Sequence, residues 1–270
     1  MIRIATIALA VLAPFSLALA VDSVNVEQSS TAQFQEGTFE DVVVNNLGEL
    51  KLARKLDVLL KDDKDVVFVN AMVADDKGNV YAATAPNGKL FRVSPDGQVE
   101  LWWTAKEKTL LSLALGPKGE LYVGTGGGEG RVYRVAARNT AVPVLEKDGL
   151  AYVWSMVVLP DGRLVAGTGP KAELIIVAPD DKPSAGEVLF APDKDKQKNI
   201  LSVAADAAGK TVYFGTDVDG LVFKFDLAAR KPFLLYDAEQ SEISAILVAG
   251  DGSVYAATSD PAQVGGEGGP

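Results

Sequence analysis

Apolar and polar positions along this chain recur as a phrase. A short unbroken apolar run comes first, then an acidic turn that ends in glycine. A β-branched and aromatic run follows and closes on threonine. That second run reads VYAAT at 80–84, LYVGT at 121–125, LVAGT at 164–168, VYFGT at 212–216 and VYAAT again at 254–258. The threonines Thr84, Thr125, Thr168, Thr216 and Thr258 stand 41, 43, 48 and 42 residues apart. The turn glycines Gly78, Gly119, Gly162, Gly209 and Gly252 keep the same beat. An apolar run too short for a helix and bounded by turn residues reads as a strand covered on both faces. The β-branched and aromatic runs read as strands as well.

Residues 68–104 show one unit. FVNAMVAD (68–75), NVYAAT (79–84), KLFRV (89–93) and VELWWT (99–104) form four strands, a to d. Asn87-Gly88 is a hairpin turn that needs positive φ, and Pro95-Asp96-Gly97 is a turn preset by its proline. A repeat of about 40 residues built from four short strands predicts a propeller blade. The fold class is therefore all-β, a β-propeller of four-stranded antiparallel blades, with five to six blades within 39–258.

Full repeats cover 67–107, 110–147, 151–192 and 199–237. The third has an expanded c–d connection, PDDKPSAGE (179–187), which accounts for the longest spacing. Before them, FEDVVVN (39–45), LKLAR (50–54) and LDVLL (56–60) match strands b, c and d of a first blade. After them, 243–250 and 253–258 supply strands a and b of a sixth. The strand count leaves the ring incomplete at the C-terminus. Either the sequence is a truncated product or the ring is open. An open edge is an aggregation liability, so truncation is the expectation, and residues 21–270 alone are expected to dimerise, aggregate or unfold in stages.

Aligned on the turn glycine, the inner strands share a small column: Ala71, Ser112, Ser155, Ser202 and Ala245. Small residues suit inner strands that crowd together. The preceding column varies: Asn70, Leu111, Trp154, Leu201, Ser244. If it faces the axis, Asn70, Trp154 and Ser244 bring an amide, an indole and a hydroxyl to one mouth. That set suits a sugar or peptide, and these three are the candidate ligand-binding residues. The competing reading makes Trp154 core packing and Asn70 a turn cap. Trp102 and Trp103 must point to opposite faces of strand d, one between blades and the other half-exposed.

The ends and the composition narrow the setting. Arg3, the apolar run 4–20 and Ala18-Leu19-Ala20 fit a signal peptide over 1–20, cut before Val21. A membrane anchor is the rival reading, but the run sits at the short limit for a span and contains Pro14. Residues 21–38 read as a flexible lead-in and 259–270 as a Gly/Pro-rich tail or linker. The expected location is periplasmic or secreted, with no membrane span after cleavage.

Net charge is −10, and the acids cluster in turns, so nucleic acid is not an expected partner. The chain has no histidine and no cysteine. That removes Ser-His-Asp and Cys-His catalysis and histidine-ligated metals. GTGGGEGR (124–131) lacks the Lys-Ser/Thr and the helix of a phosphate loop, and reads as a b–c turn. DVDG (217–220) lacks the later ligands of a calcium loop, and reads as a hairpin turn with Gly220 at positive φ. The inner-strand cores hold no carboxylate before Asp75 and Asp206 at their ends, where a propeller glycosidase or lactonase would need one. No catalytic residue, metal ligand or cofactor is assigned.

LPDGRLVAGT (159–168) and GPKGELYVGTGGGEGRVYRV (116–135) carry a family likeness. They resemble the repeats of bacterial exported propellers, first the sensor propellers of two-component regulators, then NHL-type and quinoprotein-like repeats. The likeness spans 39–258. WD-like blades would add recurrent Gly-His and Trp-Asp pairs, which this chain lacks. The resemblance implies a fold more than a function. The expectation is an exported non-catalytic scaffold binding a protein, peptide or glycan. The alternative is a propeller enzyme or cofactor binder of quinoprotein or lactonase type.

Overall fold

The computed structural model describes residues 42–44, 49–53, 57–60, 66–178, 182–192 and 197–260. The expected signal peptide, the lead-in and residues 261–270 of the tail lie outside them. The chain divides into two compact units, Met1–Asp57 and Val58–Pro270. In the first unit β1 (Val42–Val44) pairs antiparallel with β2 (Leu50–Leu52), matching strands b and c of the first blade. The third strand expected over 56–60 does not form at 57–60, because no described strand pairs with those residues.

The second unit holds four meanders of four strands. Blade two is β3 (Val66–Ala74), β4 (Val80–Pro86), β5 (Lys89–Val93) and β6 (Val99–Thr104). Blade three is β7 (Thr109–Leu115), β8 (Leu121–Gly126), β9 (Arg131–Ala137) and β10 (Thr140–Glu146). Blade four is β11 (Tyr152–Val158), β12 (Leu164–Gly169), β13 (Leu174–Val177) and β14 (Glu187–Phe190). Blade five is β15 (Ile200–Ala205), β16 (Thr211–Thr216), β17 (Leu221–Asp226) and β18 (Lys231–Asp237). Blade six shows β19 (Glu242–Val248) and β20 (Val254–Ser259). Blades three and four touch through one ladder pair, Tyr152 opposite Gly126.

The repeated residues have local jobs. Thr84 donates its hydroxyl to Lys89 O at 2.7 Å and Thr168 to Glu173 O at 2.8 Å. Thr125 Oγ1 accepts from Arg131 N at 3.0 Å, and Thr216 Oγ1 from Leu221 N at 3.3 Å. Each buried threonine thus closes its own b–c hairpin from inside. The turn acids satisfy backbone N–H groups. Asp75 accepts from Asn79 N at 2.8 Å, Asp161 from Arg163 N at 3.0 Å and Asp206 from Lys210 N at 2.8 Å. Partial burial pushes the Asp75 carboxyl upward. The hydrogen bonds from Asn79 and Lys77 outweigh it and leave the group below its ordinary range.

Every inner strand breaks register at an equivalent place, and β3 has a further break between Val66 and Phe68. The equivalent breaks fall between Val69 and Ala71, Leu110 and Ser112, Val153 and Ser155, Ile200 and Ser202, and Ile243 and Ala245. The skipped residues are Asn70, Leu111, Trp154, Leu201 and Ser244. The variable column of the sequence is a column of β-bulges, in which one residue per strand stands outside the ladder.

The inner strands β3, β7, β11, β15 and β19 lie side by side in chain order. The column chosen for small size also hydrogen-bonds across blades. Ser112 Oγ donates to Val153 O at 2.8 Å and Ser202 Oγ to Ile243 O at 3.0 Å. Val203 N donates to Ser155 Oγ at 3.0 Å. In blade two, where the column holds Ala71, the bulged Asn70 donates to Leu110 O at 2.8 Å instead. Where glycine precedes the closing threonine, at Gly124, Gly167 and Gly215, it makes room for the next inner strand. A Cβ on Gly124 would lie 2.8 Å from Val153 Cγ1, and one on Gly215 2.3 Å from Ile243 Cγ2.

The apolar core therefore sits between blades. One cluster joins Leu90, Trp103, Leu110, Val123 and Tyr133 across blades two and three. A second joins Tyr122, Val153, Met156 and Ile175 across three and four. A third joins Leu174, Ile200, Phe214 and Phe225 across four and five. Trp103 is buried with its ring 4.9 Å from Tyr133. Trp102 is half-buried, edge-on to Tyr81 and beneath the Arg92 guanidinium at 4.8 Å. The expanded c–d connection of blade four docks outward. Ser184 pairs with Leu145, and its carbonyl accepts from Glu146 N at 2.9 Å, extending the outer edge of blade three.

Two inner strands depart from the expected two-sided burial. Val67, Phe68, Val69 and Met72 of β3 are exposed, as is Leu247 of β19. Among the described residues of the second unit β3 has an inner-strand neighbour only in β7, and β19 only in β15.

Candidate functional site

The b–c turn and the link from strand d to the next blade meet at one end of each blade. A backbone bond ties them together: Gly88 N to Lys108 O at 2.7 Å, Gly130 N to Leu150 O at 2.8 Å, Ala172 N to Lys198 O at 2.9 Å and Gly220 N to Ser241 O at 2.9 Å. Clefts open between these loops. The cleft at blade five has a volume of about 510 Å³.

Its b–c turn is Asp217-Val218-Asp219-Gly220. Asp219 N donates back to Asp217 O at 2.9 Å, and Val218 is held at φ 71°. A β-branched residue in the left-handed region stores strain of about 1–3 kcal/mol. Gly220 takes φ 56°, as the sequence predicts. Asp217 is buried and anchors the turn to the preceding link. Its Oδ1 accepts from Lys198 N and Asn199 N, both at 2.8 Å, and its Oδ2 from Asn199 Nδ2 at 2.6 Å. Asn199 Oδ1 then accepts from the Trp154 indole N–H at 2.8 Å. Tyr152 stacks on Trp154 with ring centroids 5.0 Å apart. Beside this chain the buried Gln197 donates to Asp219 Oδ2 at 2.9 Å. Asp219, Asp237, Glu239 and Asp260 line the cleft with the apolar Leu234 and Val218, and among the described residues no Lys or Arg lines it.

A second cleft, about 460 Å³, opens at blade three beside Lys106, Glu107, Lys108, Glu129 and Arg131. Arg131 reaches three carboxylates. Its Nη1 pairs with Glu107, its Nη2 with Glu129 at 2.6 Å and its Nε with Glu146 at 2.9 Å. Glu107 is buried and also accepts from the Tyr133 hydroxyl at 3.1 Å. Burial and the adjoining Glu107 charge push the Tyr133 hydroxyl up from 10.0 to about 12. A folded value above the unfolded one means stability is fully present below pH 10 and is lost as pH rises toward 12. Tyr133→Phe is expected to flatten the alkaline fall in urea-unfolding stability over that window. Equal slopes for variant and parent would show that Tyr133 does not carry it.

The three sequence-predicted residues occupy equivalent bulges but separate surroundings. Asn70 on β3, Trp154 on β11 and Ser244 on β19 are spaced by β7 and β15. Asn70 bonds across to Leu110 O, while Ser244 bonds to Ala257 O of its own blade at 3.2 Å. Trp154 belongs to the hydrogen-bonded chain that anchors the blade-five turn. Asn199, Asp217, Gln197 and the Glu107–Arg131–Tyr133 group carry no sequence signal of their own. Their partners lie 18 to 45 residues away in the chain. Among the described residues no three Asp or Glu side chains are grouped to hold a metal ion, and no helix is long and apolar enough to cross a membrane.

Four-stranded meanders stacked through their inner strands define a β-propeller, here with four full blades and a two-stranded sixth among the described residues. No protein-family model and no curated protein matches the chain. The likeness is to solved structures. A chain of a crystal structure of the mitotic checkpoint complex matches with TM-score 0.60 and 14% identity, over 80% of this chain and 63% of that one. Selenomethionine-substituted virginiamycin B lyase from Staphylococcus aureus matches with TM-score 0.57 and 11% identity, over 80% of this chain and 76% of that one. At such identities the shared property is the fold. This chain spans less than two thirds of the checkpoint-complex chain.

Proposed function

We propose that this chain is an exported, periplasmic or secreted propeller scaffold that is not an enzyme and that holds a protein or peptide partner on its loop-bearing edge. The observation that carries this reading is the blade-five cleft. Four carboxylates beside the apolar Val218 and Leu234 suit a basic side chain with an aliphatic stem, the chemistry of Lys or Arg in a peptide. The buried Asp217 and the half-buried Asn199 fix the turn that shapes it, so the cleft is preformed. Export rests on the signal-like pattern of residues 1–20, and a bacterial source on the resemblance of the repeats. The quinoprotein or lactonase reading has no set of three carboxylates placed to share a metal ion behind it among the described residues.

The test is a fluorescence-anisotropy titration against a peptide library matched in length and graded in Lys and Arg content. Basic peptides are expected to bind, more weakly as salt rises. Asp219→Lys with Glu239→Lys is expected to weaken them at least tenfold. Equal binding of acidic and basic peptides, or no effect of the charge reversals, would overturn the reading.

A further inference from the structure

Blade six repeats blade two at the face that blade two buries. Strand β4 begins VYAAT and β20 begins VYAAT. In blade two the inner strand places Asn70, Ala71 and Val73 on that face, beside Tyr81 and Ala83 of β4. This set packs against Leu110, Leu113 and Leu121 of blade three, and Asn70 donates across to Leu110 O. The same positions of blade six hold Ser244, Ala245, Leu247, Tyr255 and Ala257, in the same register: Leu247 opposes Tyr255 as Val73 opposes Tyr81. Blade three makes the comparison sharper. Its Tyr122, the counterpart of Tyr255, is 2% exposed beneath blade four, whereas Tyr255 is 60% exposed.

The opposite face of blade two is uncovered in a complementary way. Val153 and Met156 of blade four pack on blade three and are 0% and 8% exposed. Their counterparts in blade two, by bulge position and register, are Val69 and Met72, which are 49% and 70% exposed. The second unit thus displays, at two separate places, both halves of the interface it uses three times between its own full blades.

We propose that a second copy of this chain docks head to tail, with the Leu247–Tyr255 face of one copy receiving the Val69–Met72 face of the other. The occupant is fixed by continuity with the blade–blade interface: the same residue types meet at the same register, with Ser244 at the bulge position of Asn70. The contact is heterologous, because each copy contributes a different face. The apolar area removed from water drives it, as it drives the internal interfaces. It lies apart from the blade-five cleft and does not depend on what the cleft binds.

Sedimentation velocity on the full chain over a concentration series tests this. The parent is expected to associate. Met72→Glu blocks one face and Tyr255→Glu the other, so each variant alone is expected to run as a monomer. An equimolar mixture has one intact face of each kind and is expected to form a dimer and nothing larger. A parent that stays monomeric at all concentrations, either variant associating alone, or a mixture that stays monomeric would overturn the proposal. Far-ultraviolet circular dichroism checks that both surface variants fold. Val69→Lys and Leu247→Asp replace them if either does not.

Discussion

Gly167→Val is expected to lower the stability of the second unit by about 3 kcal/mol or more, the upper range for overpacking a filled site. A Cβ at Gly167 would stand 2.6 Å from Ile200 Cγ2, 2.7 Å from Val203 Cγ2 and 2.9 Å from Ile200 O. Those atoms belong to the inner strand of the next blade, with Ile200 fully buried, so neither partner has room to yield. For a unit of this size the melting temperature should fall by roughly 10 °C. Gly250→Ala is the control: no atom lies within 4 Å of its added Cβ. Urea titrations of both variants separate a packing effect from the general cost of losing a glycine. A Gly167→Val midpoint equal to that of the control would sink the account of the glycine column.

The second large effect belongs to Arg131→Met. This change strips the partner from Glu107, whose side chain is only 5% exposed, and leaves a carboxylate enclosed by protein. Breaking one side of such a pair costs about 3–5 kcal/mol, while replacing both sides with apolar groups is often neutral. The double variant Arg131→Met with Glu107→Met is therefore expected to recover most of the loss. Glu129, 72% exposed, adds little to the balance because water screens it. If the double variant is as unstable as the single one, the arginine acts through its aliphatic packing and not through its charge.

The architecture was legible because it is local. A turn glycine, a closing threonine and an Asn-Gly hairpin each act within a few residues, and the repeat multiplies the signal. The opposite fates of Trp102 and Trp103 also followed from strand alternation alone. The bulge was visible only as unexplained variability at Asn70 and its equivalents, since a single sequence shows which residues differ but not which one leaves the ladder. The placement of those side chains was not legible at all. Asn70 is drawn to Leu110 O because Ala71 cannot hydrogen-bond, and Trp154 to Asn199 from the link before the next blade. Both choices depend on what a neighbouring blade offers. The Glu107–Arg131 pair is hidden for the same reason: a loop glutamate among many solvated acids gives no sign that it will be enclosed.

The register break in each inner strand has an evolutionary consequence. A residue in a ladder is constrained twice, by its pairing and by the face it must fill. The residue at the break is released from the first constraint, and every inner strand has one at the equivalent position. An amide, a leucine, an indole, a second leucine and a hydroxyl already occupy the five of them without disturbing the strands on either side. Substitution there changes chemistry while leaving the blade spacing intact. A lineage of such chains can therefore vary one side chain per inner strand while the ladders on either side keep their register, the scaffold acting as a fixed frame for a variable five-letter word.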